Sequence, residues 1–266
     1  MLGLVAAMGA TVSVAPLIAE PRAPWPSERF APPAQRNVAG EFDYYVLSLS
    51  WSPTYCSEAS ERDDTQCNRR DGRRFAFVLH GLWPQYEKGW PEACRTPRRP
   101  FVPESVIDNM LDVMPSRGLV IHEYRKHGVC SGLDAQAYFS ASRRLFSSVQ
   151  IPPAYRNPFE TVTSTPRDLV IAFARANPNI EPNSIAVVCD GKAGRLKEVR
   201  ICFTKDGQSR ACGENENARR LCAADSIYAL PVRSSAREDA EPAPSPYDPR
   251  RPLPTFRNLR DGARPL

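Results

Sequence analysis

Eight cysteines constrain the fold of this 266-residue chain more strongly than any other feature. They are Cys56, Cys67, Cys94, Cys130, Cys189, Cys202, Cys212 and Cys222. Their number is even, and no two are nearer than ten positions, so the sequence lacks the close cysteine pairs that zinc sites use. The pattern therefore predicts four disulfides and an oxidising compartment.

The first segment, residues 1–19, is apolar and uncharged and ends in alanine, which is typical of the h-region of a signal peptide. It lacks the basic residues that usually precede an h-region, and its length would just span a bilayer. Its glycine, serine, threonine and proline content favours a cleaved signal. We therefore expect a secreted or periplasmic protein that is not membrane-bound in its mature form.

Two proline-rich segments flank the centre of the chain. Residues 20–41 carry five prolines and little periodicity, which predicts an extended leader. Residues 233–266 are also rich in proline and carry seven arginines against five acidic residues, which predicts a flexible tail. The whole chain has a net charge of +5, which is compatible with a polyanionic partner but is also common among secreted proteins.

Apolar periodicity predicts an α+β domain over residues 42–232. Strands are predicted at 42–53, 75–80, 184–191, 196–207 and 226–232. Helices are predicted at 103–115, 118–130, 134–149 and 165–177, the last with Thr165 as its N-cap. The charged segment 56–74 is predicted to be a loop. Strands at both ends with helices between them favour the α+β class.

All three histidines fall in two short segments that are dense in chemically useful side chains. His80 ends the apolar run of "FAFVLHGLWPQY", and His122 and His127 bracket "HEYRKHG". Residues four apart on a helix share a face, so Glu123 is expected beside His127 and His122 beside Lys126. Because histidine titrates near neutrality, such a patch can move protons and bind an anion, as an acid–base pair requires.

The histidine segments have two other interpretations. "HEYRKH" is similar to the zinc motif H-E-x-x-H, but its histidines are five apart rather than four, which rotates the second ring away from the first. A three-histidine zinc site that includes His80, and an exposed charged helix with incidental histidines, both stay open. The sequence has no G-x-S-x-G and no G-x-G-x-x-G, so no serine nucleophile or dinucleotide site is predicted.

Two of these stretches resemble known active-site signatures. "HGLWP" (80–84) and "HEYRKHGVC" (122–130) resemble those of the ribonuclease T2 family, and "LSWSPTYC" (49–56) resembles the strand that precedes them. The resemblance implies an α+β fold with a central antiparallel sheet, helices packed on it and stapling disulfides. It also implies cleavage of single-stranded RNA without metal or cofactor, through a 2′,3′-cyclic phosphate and then a 3′-phosphate.

The resemblance assigns a role to each polar residue of the two signatures. His127 matches the general base and His80 the general acid. Glu123 and Lys126 match the pair that stabilises charge on the pentacoordinate phosphorus. His122 matches a phosphate-binding histidine. A cationic site of this kind lowers the cost of a crowded phosphorane.

Four further residues are candidates for binding the substrate. Trp83 offers a flat face on which a base can stack, with core packing as the alternative. Gln85 stands where some members of the family have an acidic residue that contacts the base, and an amide both donates and accepts, so loose base preference is expected. Tyr86 and Trp90 are additional stacking candidates. Gly81 is expected to keep bulk away from the substrate.

The resemblance also implies how the cysteines pair. Cys94 is expected to pair with Cys130, and two pairs are expected to staple the C-terminal strands, which leaves one pair near the start of the domain. The four pairs are Cys94–Cys130, Cys189–Cys222, Cys202–Cys212 and Cys56–Cys67.

The expected partner is single-stranded RNA, and the expected state is a monomer. The arginines of the tail 233–266 either attract RNA or are simply solvated. A protein that keeps the fold but only binds RNA, without catalysis, is the alternative function. A metallohydrolase is a third.

Overall fold

The computed structural model describes residues 37–59, 65–67, 69 and 74–232. The predicted signal peptide (1–19), the leader residues 20–36 and the predicted tail (233–266) lie outside the described residues. Among the described helices, none has the length and apolarity needed to cross a bilayer.

The described part of the chain forms both strands and helices, as expected of an α+β domain. The strands are β1 (Tyr44–Trp51), β2 (Phe77–Gln85), β3 (Val162–Ser164), β4 (Ile185–Cys189), β5 (Leu196–Phe203) and β6 (Ile227–Ala229). The α-helices are α1 (Ser52–Glu58), α2 (Glu104–Asp108), α3 (Arg117–Lys126), α4 (Ala135–Ser148), α5 (Pro166–Ala176) and α6 (Ala218–Leu221).

The main sheet is antiparallel throughout and has the strand order β2-β1-β5-β4. This confirms the predicted fold class. The predicted strand at 226–232 does form, as β6, but it pairs with β3 in a separate two-stranded sheet. β3 is not predicted from the sequence, because three residues are too few to show a period.

The strand that carries His80 is longer than its sequence predicts. The apolar run was expected to stop at His80, yet β2 continues through Gln85. Pro84 is tolerated because β2 lies at the edge of the sheet, where one side of the strand needs no hydrogen bonds from the sheet. Opposite β1, Gly81 pairs with Ser48 but Leu79 pairs with the next residue, so His80 is the extra residue of a β-bulge. Bulges of this kind redirect a side chain.

The helices agree with prediction in position and differ in their ends. α4 and α5 match, and the Thr165 side chain caps α5 by accepting from the backbone N–H of Asp168. The helix predicted at 118–130 ends at Lys126 and is followed by a 3-10 turn, Gly128–Ser131. α2 covers only the first part of 103–115, and α1 occupies the start of the segment predicted to be a loop.

Side chains of β1 alternate between the two faces of the main sheet, and each face has its own buried cluster. Leu47, Leu49 and Trp51 are fully buried in the main core, together with helix residues such as Phe173. The opposite face of the sheet has a smaller buried cluster of Tyr44, Val46, Trp83 and Cys202. Residues two apart on a strand share a face, so the face of Trp83 is also that of alternate residues on β5.

Four disulfides join the described elements. They are Cys56–Cys67, Cys94–Cys130, Cys189–Cys222 and Cys202–Cys212, the pairs that the family resemblance implies. Cys94–Cys130 ties the loop after β2 to the turn that follows α3, so the two histidine segments are covalently linked.

Candidate active site

The two histidines assigned as acid and base both pack against one tryptophan. The ring centroid of His80 is 5.1 Å from that of Trp83, in an edge-on arrangement. The His127 ring is 5.3 Å from the Trp83 ring and tilted by 34°. The two imidazoles therefore cannot be farther apart than the sum of these distances, although 47 positions separate them in the sequence.

His80 is held by a carboxylate from the neighbouring part of the sheet. Its Nδ1 is 2.7 Å from Oε1 of Glu198 on β5. An ionised carboxylate can only accept, so Nδ1 carries a proton and donates it, which leaves Nε2 on the other side of the ring. Burial lowers the pKa of His80, but the hydrogen bond and charge of Glu198, with the charge of Glu123, outweigh burial and raise it above its ordinary value.

Glu198 is in turn supported by an arginine two residues along β5. Arg200 donates to Oε2 of Glu198 from Nε at 3.0 Å, and its second guanidinium nitrogen lies 2.9 Å from the same oxygen. Its guanidinium carbon is 4.9 Å from the ring centroid of Trp83. Burial raises the pKa of Glu198, but the hydrogen bond from His80 and the charge of Arg200 outweigh burial and hold the pKa well below its usual range.

Neither Glu198 nor Arg200 was identified from the sequence. A signal was present: the β5 sequence "LKEVRICF" puts charged residues at positions 198 and 200, two apart and therefore on one face of the strand. Charged residues on an inner strand of a sheet need a partner, and His80 supplies it.

His127 lies in the opposite environment. It is buried and forms the C-cap of α3, where its backbone N–H donates to the carbonyl of Glu123 at 2.9 Å. Its buried Nδ1 makes no hydrogen bond with any described residue. Burial lowers the pKa of His127 to about 3, with help from the charges of Lys126, His80 and His122.

These two environments separate the protonation states of otherwise identical rings. At mildly acidic pH, His127 is neutral and can accept a proton, while His80 is charged and can donate one. Pairs of titratable groups whose pKa values are pushed apart are typical of acid–base sites.

Glu123 connects the two sides of the site. It is 2% exposed, its Oε2 accepts from Nε1 of Trp83 at 2.7 Å, and its Oε1 is 3.7 Å from Nε2 of His80. Burial raises the pKa of Glu123, against the charge of His80 and the hydrogen bond from Trp83.

Gly81 makes this connection possible. A Cβ at Gly81 would lie 2.1 Å from Oε2 of Glu123 and 2.5 Å from Nε1 of Trp83. The glycine was expected to leave space for substrate. The structure gives a different reason, because the space is filled by the hydrogen bond between Glu123 and Trp83.

The two residue pairs expected on α3 lie on different sides of the helix surface. Glu123 and His127 are buried at the site, whereas His122 is exposed and Lys126 is partly exposed. Nζ of Lys126 is 3.7 Å from Oε2 of Glu92. Glu123 therefore faces His80, whereas His122 and Lys126 lie toward solvent.

The four candidates for base binding differ in their exposure. Trp83 is only 9% exposed, and its ring contacts the two histidines and Arg200. These contacts favour a role in positioning the site residues. Stacking of a base on Trp83 stays a prediction. Tyr86 is half-buried against the core, whereas Trp90 is 49% exposed and open to stacking.

Direct base contact by Gln85 is not supported. This side chain is 4% exposed, and its amide oxygen accepts from Nδ2 of Asn215 at 3.1 Å. Asn215 also donates to the carbonyls of Tyr86 and Gly89 and accepts from the backbone N–H of Gly89. The amide of Gln85 thus helps to fix the turn after β2. Asn215 has no signal in the sequence, since it lies in a 3-10 turn of only three residues, Glu214–Glu216, which is too short to show a period.

No group of three or more histidine, cysteine, aspartate or glutamate side chains with metal-binding geometry occurs among the described residues. The candidate residues that the structure brings together are His80, Trp83, Glu123 and His127, with Glu198 and Arg200 behind them.

Comparison with known sequences identifies the family. Residues 42–212 match the model of the ribonuclease T2 family. The chain is similar to a ribonuclease of Aeromonas hydrophila, with 32% identity over 200 residues that cover 74% of this chain and 87% of that protein. It is also similar to ribonuclease I of Escherichia coli K12, with 29% identity over 213 residues that cover 65% of this chain and 79% of that protein.

Comparison with solved structures supports the fold. An RNase-related protein from Calystegia sepium superimposes with a TM-score of 0.58 at 24% identity, over 73% of this chain and 99% of that one. Trichomaglin, described as an S-like ribonuclease, gives a TM-score of 0.55 at 19% identity, over 73% of this chain and all of that one. The chain belongs to the ribonuclease T2 family and is an endoribonuclease.

Proposed function

We propose that this protein cleaves single-stranded RNA by metal-independent transphosphorylation, with His127 as the general base and His80 as the general acid. The observation that carries this proposal is the contrast between the environments of the two rings that contact Trp83. A buried ring without a partner favours the neutral form, and a ring paired with Glu198 favours the charged form.

In the first step, neutral His127 takes the proton of the ribose 2′-hydroxyl. The 2′-oxygen attacks the adjacent phosphorus, the bond from phosphorus to the 5′-oxygen breaks, and charged His80 gives its proton to that leaving oxygen. The product is a 2′,3′-cyclic phosphate. In the second step the roles reverse: His80 activates water, His127 protonates the departing 2′-oxygen, and a 3′-phosphate results.

The remaining residues act on charge and position. Glu123, Lys126 and His122 contact the phosphate in this proposal, where charge accumulates in the transition state. Glu198 is a positioning residue, because it fixes the tautomer and the orientation of the His80 ring and favours its protonated form.

Base selectivity and location complete the proposal. We expect cleavage after every base, since Gln85 is turned toward Asn215 and the exposed Trp90 offers stacking, which tolerates any base. We expect a monomer in a secreted or periplasmic location, because four disulfides persist only in an oxidising compartment.

The test is digestion of each homopolymeric RNA by the purified protein in excess EDTA, with identification of the product ends by mass spectrometry. We expect all homopolymers to be cut, with 2′,3′-cyclic ends appearing before 3′-phosphate ends. Single-stranded DNA, which has no 2′-hydroxyl, should stay intact. Loss of activity in EDTA, or products that carry 5′-phosphates, would contradict the proposal.

A further inference from the structure

A groove lined by arginines lies beside the catalytic helix and has no role in the mechanism above. Its main part has a volume of about 490 Å³ and is formed by the loop after β2 and by α3. Its lining contains no acidic residue and four cationic ones: Arg95, Arg98, Arg99 and Arg125. We call these residues the arginine groove.

The arginines of this groove lack the ion pairs that several other arginines of the described chain make. Arg117, Arg143 and Arg195 each form an ion pair with a carboxylate. The four arginines of the groove are exposed, and none has an ion-pair partner among the described residues. Four positive charges without ion-pair partners that line one concavity repel one another, and an anion bound between them would offset this repulsion.

The loop that carries three of these arginines is held in place at several points. Cys94 is tied by its disulfide to Cys130, and the backbone N–H of Ala93 donates to the carbonyl of Lys126 at 2.7 Å. Pro97 and Pro100 restrict the backbone between the arginines. A fixed loop presents its charges without a large loss of entropy on binding.

Ala93, at the start of this loop, has a φ of +47°. This left-handed conformation is strained for any residue other than glycine, and strained residues are more frequent at binding sites. Ala93 lines both the arginine groove and the concavity next to it.

The groove adjoins the two residues of α3, His122 and Lys126, that are proposed to contact the phosphate. A second concavity of about 380 Å³ shares Ala93 and Arg125 with the first and is also lined by His122 and Lys126. Lys126 directly precedes His127 in the chain. The arginines therefore extend from the residues proposed to contact the scissile phosphate to the far end of the loop.

We propose that the arginine groove binds the backbone phosphates of the RNA strand that flank the scissile linkage. The proposal rests on the proposed function, since it assigns the groove to the same substrate. It makes the enzyme favour long single strands over the smallest cleavable substrate, because a dinucleoside monophosphate has no flanking phosphate to place there. Bidentate contact with phosphate is a preferred use of arginine.

The experiment compares kcat/KM on a long single-stranded RNA with kcat/KM on a dinucleoside monophosphate for the triple variant Arg95→Gln, Arg98→Gln and Arg99→Gln. Each lost contact with a single strand should flatten the dependence of log kcat/KM on log salt by about 0.7, so the variant should lose roughly two units of slope on long RNA. At about 0.1 M salt its kcat/KM on long RNA should fall roughly 100-fold, because a slope difference of about two acts over the decade of salt below about 1 M. Its rate on the dinucleoside monophosphate should stay within about twofold of wild type, because one phosphate never reaches the loop.

A matched control removes the same charge elsewhere. Arg144, Arg167 and Arg175 are exposed arginines of α4 and α5 that do not line the groove. Their triple change to glutamine should leave the substrate preference of the enzyme as it is in wild type. An equal loss in the control, or an equal loss on both substrates, would overturn the groove proposal. Failure of the wild type to cut the dinucleoside monophosphate would instead count against the proposed function.

Discussion

At the scale of single residues, chemistry is set by what surrounds each imidazole rather than by the imidazole itself. His80 meets Glu198 at 2.7 Å, and His127 meets an indole and no acceptor for its Nδ1 among the described residues. The proposed acid and base thus differ in their surroundings, because carboxylates raise the pKa of His80 and burial lowers the pKa of His127.

Changing Glu198→Gln should therefore move the alkaline limb of the pH–rate profile. His80 must be protonated to act, so activity is lost as pH rises through its pKa, which Glu198 keeps raised. Without that carboxylate, burial dominates and the pKa falls, so the alkaline limb of kcat/KM should shift about 1–3 units to lower pH. The acid limb follows His127, whose pKa is about 3, and should not move.

The control for this prediction is Glu104→Gln, which removes a carboxylate paired with Arg117 at the surface. It should leave both limbs in place. Glu198→Asp, which keeps the charge, should give an alkaline limb closer to wild type than Glu198→Gln does. An unchanged alkaline limb in Glu198→Gln would mean that Glu198 does not control His80.

At the scale of elements, the site depends on how closely β2 approaches α3. The β-bulge turns His80 out of register with β1, and the next residue, Gly81, lets Glu123 of α3 reach Trp83. A strand with regular pairing and a side chain at position 81 would not permit both.

The Cβ of Gly81→Ala would lie 2.1 Å from Oε2 of Glu123, so the Glu123 side chain must move away. A displacement of about 1 Å in an active site can cost about 100-fold in rate, and we expect kcat to fall by about that factor. The measurement is kcat on RNA together with the free energy of unfolding from a denaturant titration. The strand itself should still form, since alanine is compatible with extended backbone. If Gly81→Ala kept the wild-type kcat, the contact between Glu123 and Trp83 could not be part of the active geometry.

At the scale of the whole molecule, the sequence predicts which segments carry the chemistry better than it predicts which distant segments come together in the fold. The histidine segments, the four disulfides and the α+β class follow from spacing, composition and family resemblance. Glu198 could not be found this way, because it is 118 positions from His80 and reaches it only through the pairing of β1 with β5.

The misjudged boundaries have the same origin. Proline normally ends a strand. Pro84 does not end β2, because β2 is an edge strand, and the place of a strand in the sheet depends on the topology. The helix predicted at 118–130 gives way after Lys126 to a 3-10 turn, Gly128–Ser131, and the ring of His127 at this junction packs against Trp83. Tertiary contacts decide both cases.

The most direct test of the account measures His80→Ala and His127→Ala on two substrates, a dinucleoside monophosphate and uridine 3′-(4-nitrophenyl phosphate). Nitrophenolate leaves without a proton, so this ester needs a base but no acid. His80→Ala should lose about 10²–10⁴-fold in kcat/KM on the dinucleoside monophosphate and far less on the aryl ester, while His127→Ala should lose heavily on both. Equal losses of His80→Ala on the two substrates, or a near-wild-type rate of His127→Ala on either, would contradict the assignment of acid and base.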